Sequence, residues 1–162
     1  MQTWLDLLLS TYPPETVRLL KKETNQFANP VGHTFTTALG EILDEFLGEN
    51  SPEKLAPLLD RIIRIRAVQD FSPSQSLAFI FSLKKIAAEI LAEAGEGIEA
   101  RDDLSAFDAK VDELALLAFD VYMRCRQNLF EVRMREHKDR TYRLLQRADI
   151  IGDVSPQKPD EE

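Results

Sequence analysis

Apolar residues recur every three or four positions in six stretches of this chain, and nowhere do they alternate as in a half-buried strand. The first stretch, residues 3–12, sets Trp4, Leu5, Leu8 and Leu9 on one side and stops at Pro13-Pro14. Pro14 suits the first turn of a second helix, running to about residue 25 with Val17 and Leu20 facing inward. Asn29-Pro30 opens a third as an N-cap followed by proline at the first helical position. Val31, Phe35, Ala38, Leu39, Ile42 and Phe46 then keep helical register until Gly48. Ser51-Pro52 repeats the start signal for a fourth helix carrying Leu55, Leu58, Leu59, Ile62, Ile63 and Ile65.

The strongest local signal is Ser72-Pro73-Ser74-Gln75. It joins a serine N-cap, a proline at the first helical position and a glutamine three residues on, the pattern of a capping box. The fifth helix that follows runs to about residue 94. Leu77, Phe79, Ile80, Phe81, Leu83, Ile86, Ile90 and Leu91 cover more than half its circumference, which predicts a central helix touched by several neighbours. Gly95-Glu96-Gly97 closes it, and residues 100–103 read as a polar connection. From residue 104 to 151 there is neither glycine nor proline, so a last helix over 104–147 is expected. At 1.5 Å per residue it would be about 65 Å long, and it should bend, break or project. Phe107, Val111, Leu114, Ala118, Val121 and Cys125 form its packing seam.

These elements predict an all-α single-domain bundle of about six helices over residues 1–147, with a long C-terminal helix; a globin-like arrangement is one form it could take. Residues 148–162, with two prolines and five acids, read as a disordered acidic tail. The 162 residues, 44% hydrophobic and 30% charged, are ample for one core. No apolar run approaches the roughly 18 residues that span a bilayer. The first residues lack the basic region of a signal peptide, and one cysteine forms no internal disulfide. A cytoplasmic protein is the expectation.

Two of these helices carry polar residues where apolar ones belong. Stepping about 100° per residue from Leu55, Arg66 lands at about 20° and Gln69 at about 320°, inside the apolar stripe. Counted from Leu77, Lys84 lands at about 340°, again inside it. A buried, unpaired charge costs several kcal/mol, so Arg66 and Lys84 should each meet a carboxylate or carbonyls, with Asp70, Asp44 and Glu45 the nearest acids by topology. On one reading Arg66 and Gln69 satisfy the end of the fourth helix while Lys84 snorkels to the surface. On the other, Arg66, Gln69, Asp70, Gln75 and Lys84 form an interior polar cluster that senses a ligand or sets an interhelical angle.

Reactive chemistry finds little support. His33, His137 and Cys125 are isolated, with no paired metal ligands and no CxxC. No nucleophile elbow, Walker loop or dinucleotide fingerprint occurs. Catalytic, cofactor-binding and metal-binding residues are therefore assigned to none of the side chains, and a non-enzymatic protein is expected. The net charge of −8 is uneven, because residues 124–147 carry eight basic and three acidic side chains. That segment reads first as a solvated face, then as a surface docking onto the acidic body of another copy or a partner protein. Nucleic-acid binding ranks last, since an acidic tail follows and Tyr142 is the lone stacking aromatic.

Several phrases together resemble a known family: Trp4; Phe27-Ala28-Asn29-Pro30-Val31-Gly32; the run from Ile62 through Arg66-Ala67-Val68-Gln69-Asp70-Phe71-Ser72-Pro73-Ser74-Gln75; and Leu83-Lys84-Lys85. They resemble the N-terminal domain of RsbR-type RsbT co-antagonist proteins, the RsbRD N-terminal family, over about residues 4–129. The resemblance implies a helical input domain, placed ahead of STAS output domains in stress signalling or ahead of histidine-kinase modules, with no catalytic residues to carry over. After the last helix only a tail is expected here, with no room for a STAS domain and its phospho-acceptor. The leading expectation is a regulatory or sensory module acting by helix–helix association, as a homodimer through the fifth and sixth helices, with no membrane partner. The alternative is a binder of haem or another apolar ligand, in a globin-like pocket lined by Phe35, Phe79, Phe81 and the Arg66 cluster.

Overall fold

The computed structural model describes residues 1–22, 25–69, 71–94 and 99–147. The described residues form six α-helices: α1 (Gln2–Leu9), α2 (Pro14–Lys22), α3 (Pro30–Leu47), α4 (Pro52–Val68), α5 (Pro73–Ala94) and α6 (Glu99–Arg147). Among the described residues there is no strand. The chain is an all-α helical bundle with a long C-terminal helix. It divides into two units, Met1–Arg126 and Gln127–Glu162. The acidic tail expected over 148–162 lies outside the described residues.

In the first unit, α3 and α4 form a tight pair joined by a turn in which Asn50 takes a left-handed backbone (φ 55°). Phe35, Ala38, Leu39, Ile42 and Phe46 of α3 face Leu55, Leu59, Ile62 and Ile63 of α4, and all are buried. Each fully buried side chain of this size stabilises by about 1.5–3 kcal/mol, so the expected stripes become the core. Helix α1 lies across α5 and α3. Trp4, 1% exposed, donates its indole N–H to the Phe79 carbonyl at 2.6 Å, with the two rings 5.9 Å apart. From α6, Val111, Leu114, Ala118, Val121 and Cys125 are buried, and Phe107 meets Phe46 edge-on at 5.5 Å.

The boundaries depart from expectation in instructive ways. Helix α1 ends at Leu9, because Ser10 and Thr11 turn their hydroxyls back onto the Leu7 and Leu8 carbonyls. Helix α2 is described over Pro14–Lys22, the two residues after it lying outside the described residues, and it buries no residue fully; Val17 and Leu20 are half-buried. Helix α6 begins at Glu99, so the stretch read as a polar connection is helical; Asp102 and Asp103 lie in its first turns, where the helix dipole favours acids. Helix α5 meets several neighbours as expected, α1, α4 and, through Lys84 and Asp112, α6, while Phe81 and Ile90 stay exposed.

The Asn29-Pro30-Val31-Gly32 phrase now has a physical reason. Asn29 Oδ1 accepts the Gly32 N–H at 2.9 Å while its Nδ2 donates to the Leu20 carbonyl at 2.8 Å, clamping α2 to the start of α3. A Cβ on Gly32 would stand 2.2 Å from Asn29 Nδ2 and 2.6 Å from the Leu20 oxygen. Gly32→Ala is therefore expected to destabilise the protein by about 1–3 kcal/mol, read as a lower denaturant midpoint.

Candidate functional site

Arg66, in the last turn of α4, is completely buried. Its Nη2 donates to the Gln75 carbonyl at 2.7 Å and to Thr11 Oγ1 at 3.0 Å. Its guanidinium carbon lies 4.4 Å from the Phe71 ring centre and 5.3 Å from that of Tyr12. Those two rings meet each other edge-on at 5.1 Å. Two aromatic faces thus stand where a carboxylate would be expected, each contributing roughly 0.5–2 kcal/mol to a desolvated cation. Among the described residues no carboxylate pairs with Arg66, and its Nε and Nη1 have no partner. Glu45 is engaged elsewhere, accepting the Ser51 N–H and facing Lys54. Burial pushes the guanidinium's pKa down from its ordinary value and the Tyr12 phenol's up.

The other expected members scatter around this centre. Gln69 falls just beyond α4, as its C-cap, and is exposed, but its Oε1 accepts the Tyr12 hydroxyl at 2.7 Å. Gln75 acts through two different groups. Its side chain and amide exchange hydrogen bonds with Ser72 (3.0 and 3.2 Å), completing the capping box, while its carbonyl holds Arg66. Lys84 is not brought to Arg66; it forms an ion pair with Asp112 of α6 at 2.8 Å. Asp70 lies outside the described residues.

The sequence reading missed Thr11, Tyr12, Phe71, Tyr122 and Arg126. Tyr122 donates to the Phe71 carbonyl at 3.0 Å, and Arg126 to the Ala67 carbonyl at 3.3 Å. The turn between α4 and α5 is therefore held by the α1 end, by Arg66 and by α6 at once. A buried guanidinium packed against two aromatic rings is neither a useful base nor an exposed anion receptor, so the arrangement's capacity is positional. It fixes where α5 and α6 sit relative to α4.

Cys125 is buried beside this joint, and its thiol donates to Asp60 Oδ1 at 3.3 Å. Burial, with the Asp60 carboxylate, pushes its pKa up to about 11, and the flanking Arg124 does not offset this. Alkylation by iodoacetamide at pH 8 should run at least about a hundredfold slower than for a free cysteine, and reach free-thiol rates on denaturation. Among the described residues no group of three or more His, Cys, Asp or Glu is placed to hold a metal ion. The pocket imagined for haem is not gathered either: Phe35 and Phe79 are core residues in ring contact with Tyr12 and Trp4, whereas Phe81 is 48% exposed. His33 instead borders a groove with Leu5, Leu20 and Thr37.

The second feature is a face left uncovered. In the first unit, α6 exposes Leu116 (69%), Phe119 (44%) and Met123 (49%), and α5 exposes Phe81. In the second unit, the helical residues 127–147 expose Phe130, Val132, Met134 and Leu144 among arginines. No helix of the described residues is long and apolar enough to cross a membrane.

Comparison with known proteins bears on both features. No solved structure matches the chain. A protein of Archaeoglobus fulgidus, described as uncharacterized, is 29% identical over 139 residues, covering 84% of this chain and 81% of its own. Residues 1–137 match the family described as the RsbT co-antagonist protein rsbRD N-terminal domain. That span contains the Arg66 joint and the α5 and α6 faces alike, and the chain belongs to this family.

Proposed function

We propose that the chain is a non-enzymatic, cytoplasmic regulatory or sensory module of stress-signalling type, acting by association with protein, and as a homodimer through α5 and α6. The observation that carries this reading is the run of exposed apolar residues on α6, Leu116, Phe119 and Met123, together with exposed Phe81 on α5. Scattered exposed apolar residues are ordinary, but a helical row of large ones marks an interaction surface. The family's description as the N-terminal domain of a co-antagonist supports a regulatory role. The Arg66 joint supports it too, since it ties the α4 end to both helices of that face.

Sedimentation velocity tests the reading. The wild-type chain should sediment as a dimer, and Leu116→Glu or Met123→Glu should weaken association by tenfold or more while the helical circular dichroism is retained. A strictly monomeric wild type at high concentration that captures no partner protein would contradict it.

One observation favours a second reading. A cavity of about 390 Å³, almost wholly apolar, lies among Trp4, Leu43, Leu83, Ile86, Ile90 and Phe107. Its size suits a small apolar ligand. A rise in melting temperature with fatty acids or haem, abolished by Leu83→Trp, would support a ligand-binding role.

A further inference from the structure

The helical residues 127–147 of the second unit carry a face of their own. Phe130, Met134, His137, Thr141 and Leu144 follow one another at alternating steps of four and three residues, the spacing of a coiled-coil seam, and all are exposed. Phe130 is 64% exposed and Leu144 57%. Arg133, Arg140 and Arg147, each seven residues from the last, run down one flank of this seam. Glu131, Lys138 and Leu145 run down the other. Over residues 127–147 six basic side chains stand against three acidic ones, and the arginine flank is of one sign throughout.

We infer that this seam docks an acidic amphipathic helix of another protein, one with apolar residues along its own seam and Asp or Glu on its flanks. The inference is independent of the homodimer reading above. A second copy of the same segment is a poor occupant, because a parallel pair sets Arg133 against Lys138 of the other copy and an antiparallel pair sets the arginine flank against itself. Both directions bring like charges together. A carboxylate opposite each arginine removes that repulsion and matches the guanidinium with paired hydrogen bonds. Nucleic acid and anionic membrane fit less well. Glu131, Glu136 and Asp139 are interspersed with the cations around the helix, whereas a phosphate backbone selects a surface of one sign. The apolar face is also narrow, with His137 and Thr141 inside it, whereas a helix lying in a lipid interface buries a broad one. Polar residues within a seam suit helix pairing, where they fix register at some cost in stability.

Titration of the full chain against a labelled synthetic peptide tests it. The peptide repeats a heptad with leucine at both seam positions and glutamate at both flanking ones, and its counterpart carries lysine on the flanks. The wild type should bind the glutamate peptide at least tenfold more tightly than the lysine peptide, and Leu144→Asn should weaken that binding by tenfold or more. Arg140→Glu combined with Arg147→Glu should reverse the preference, with helical circular dichroism unchanged because both side chains are exposed. Failure to bind either peptide, or equal binding of both, would overturn the inference. So would tighter binding of duplex DNA or of phosphatidylglycerol vesicles than of the glutamate peptide, which would give the surface to phosphate. A wild-type dimer that Leu144→Asn dissociates would overturn it as well, giving the seam to a second copy.

Discussion

Arg66→Ala is expected to cost about 3–5 kcal/mol, whereas Arg66→Met should change stability by about 1.5 kcal/mol or less. Alanine empties the space beside Tyr12 and Phe71 and frees the α4–α5 turn from its inner tie. Methionine refills most of that volume without a charge. It also strands no acceptor: the Gln75 carbonyl still lies in the first turn of α5, and Thr11 keeps its bond to the Leu8 carbonyl. Meanwhile a desolvated cation with two unpartnered nitrogens is removed. If the arginine's value is geometric, Arg66→Met will fold normally yet shift the α4–α5 angle and weaken dimerisation. Thermal melts compare the pair, with the alanine variant melting about 10 °C or more lower. Equal losses in both variants would mean that the charge itself holds the fold.

Trp4→Ala should destabilise to a similar degree, about 3–5 kcal/mol, and Trp4→Phe by about 1–2 kcal/mol. The indole is the anchor that seats α1 on α5, through ring contact with Phe79 and an N–H to its carbonyl. Phenylalanine keeps the ring contact and loses the hydrogen bond, but the Phe79 carbonyl still receives the Ser82 hydroxyl, so the acceptor is not orphaned. The alanine variant loses ring, bond and volume together. Urea unfolding followed by circular dichroism would measure both, and a Trp4→Ala cost below about 1 kcal/mol would show that α1 is held by other contacts.

What the sequence made legible was what is local. Proline following Asn29, Ser51 and Ser72 marks three helix starts, and the Ser72–Gln75 box forms as written. The position of Arg66 inside the apolar stripe was readable from helical spacing alone, and it is wholly buried. Its partners were not, because Thr11 and Tyr12 lie more than fifty residues away and become neighbours only when α1 docks. Lys84 looked equivalent on the wheel, yet it sits at the α5–α6 boundary, where Asp112 meets it. Spacing tells which side of a helix is apolar, not what faces it. For that reason the reading of α5 as a central helix touched by several neighbours did not show that Phe81 and Ile90 are left open. Nor does spacing tell whether a row such as Leu116, Phe119 and Met123 is covered within the chain or by another molecule.

The account's central claim is that this row is an association surface. Amide hydrogen exchange, measured on concentrated and on dilute protein, tests it without altering a residue. Exchange over residues 112–123 should slow with concentration, while that of the α3–α4 pair stays constant. Identical rates at both concentrations, or slowing confined to α3 and α4, would contradict it.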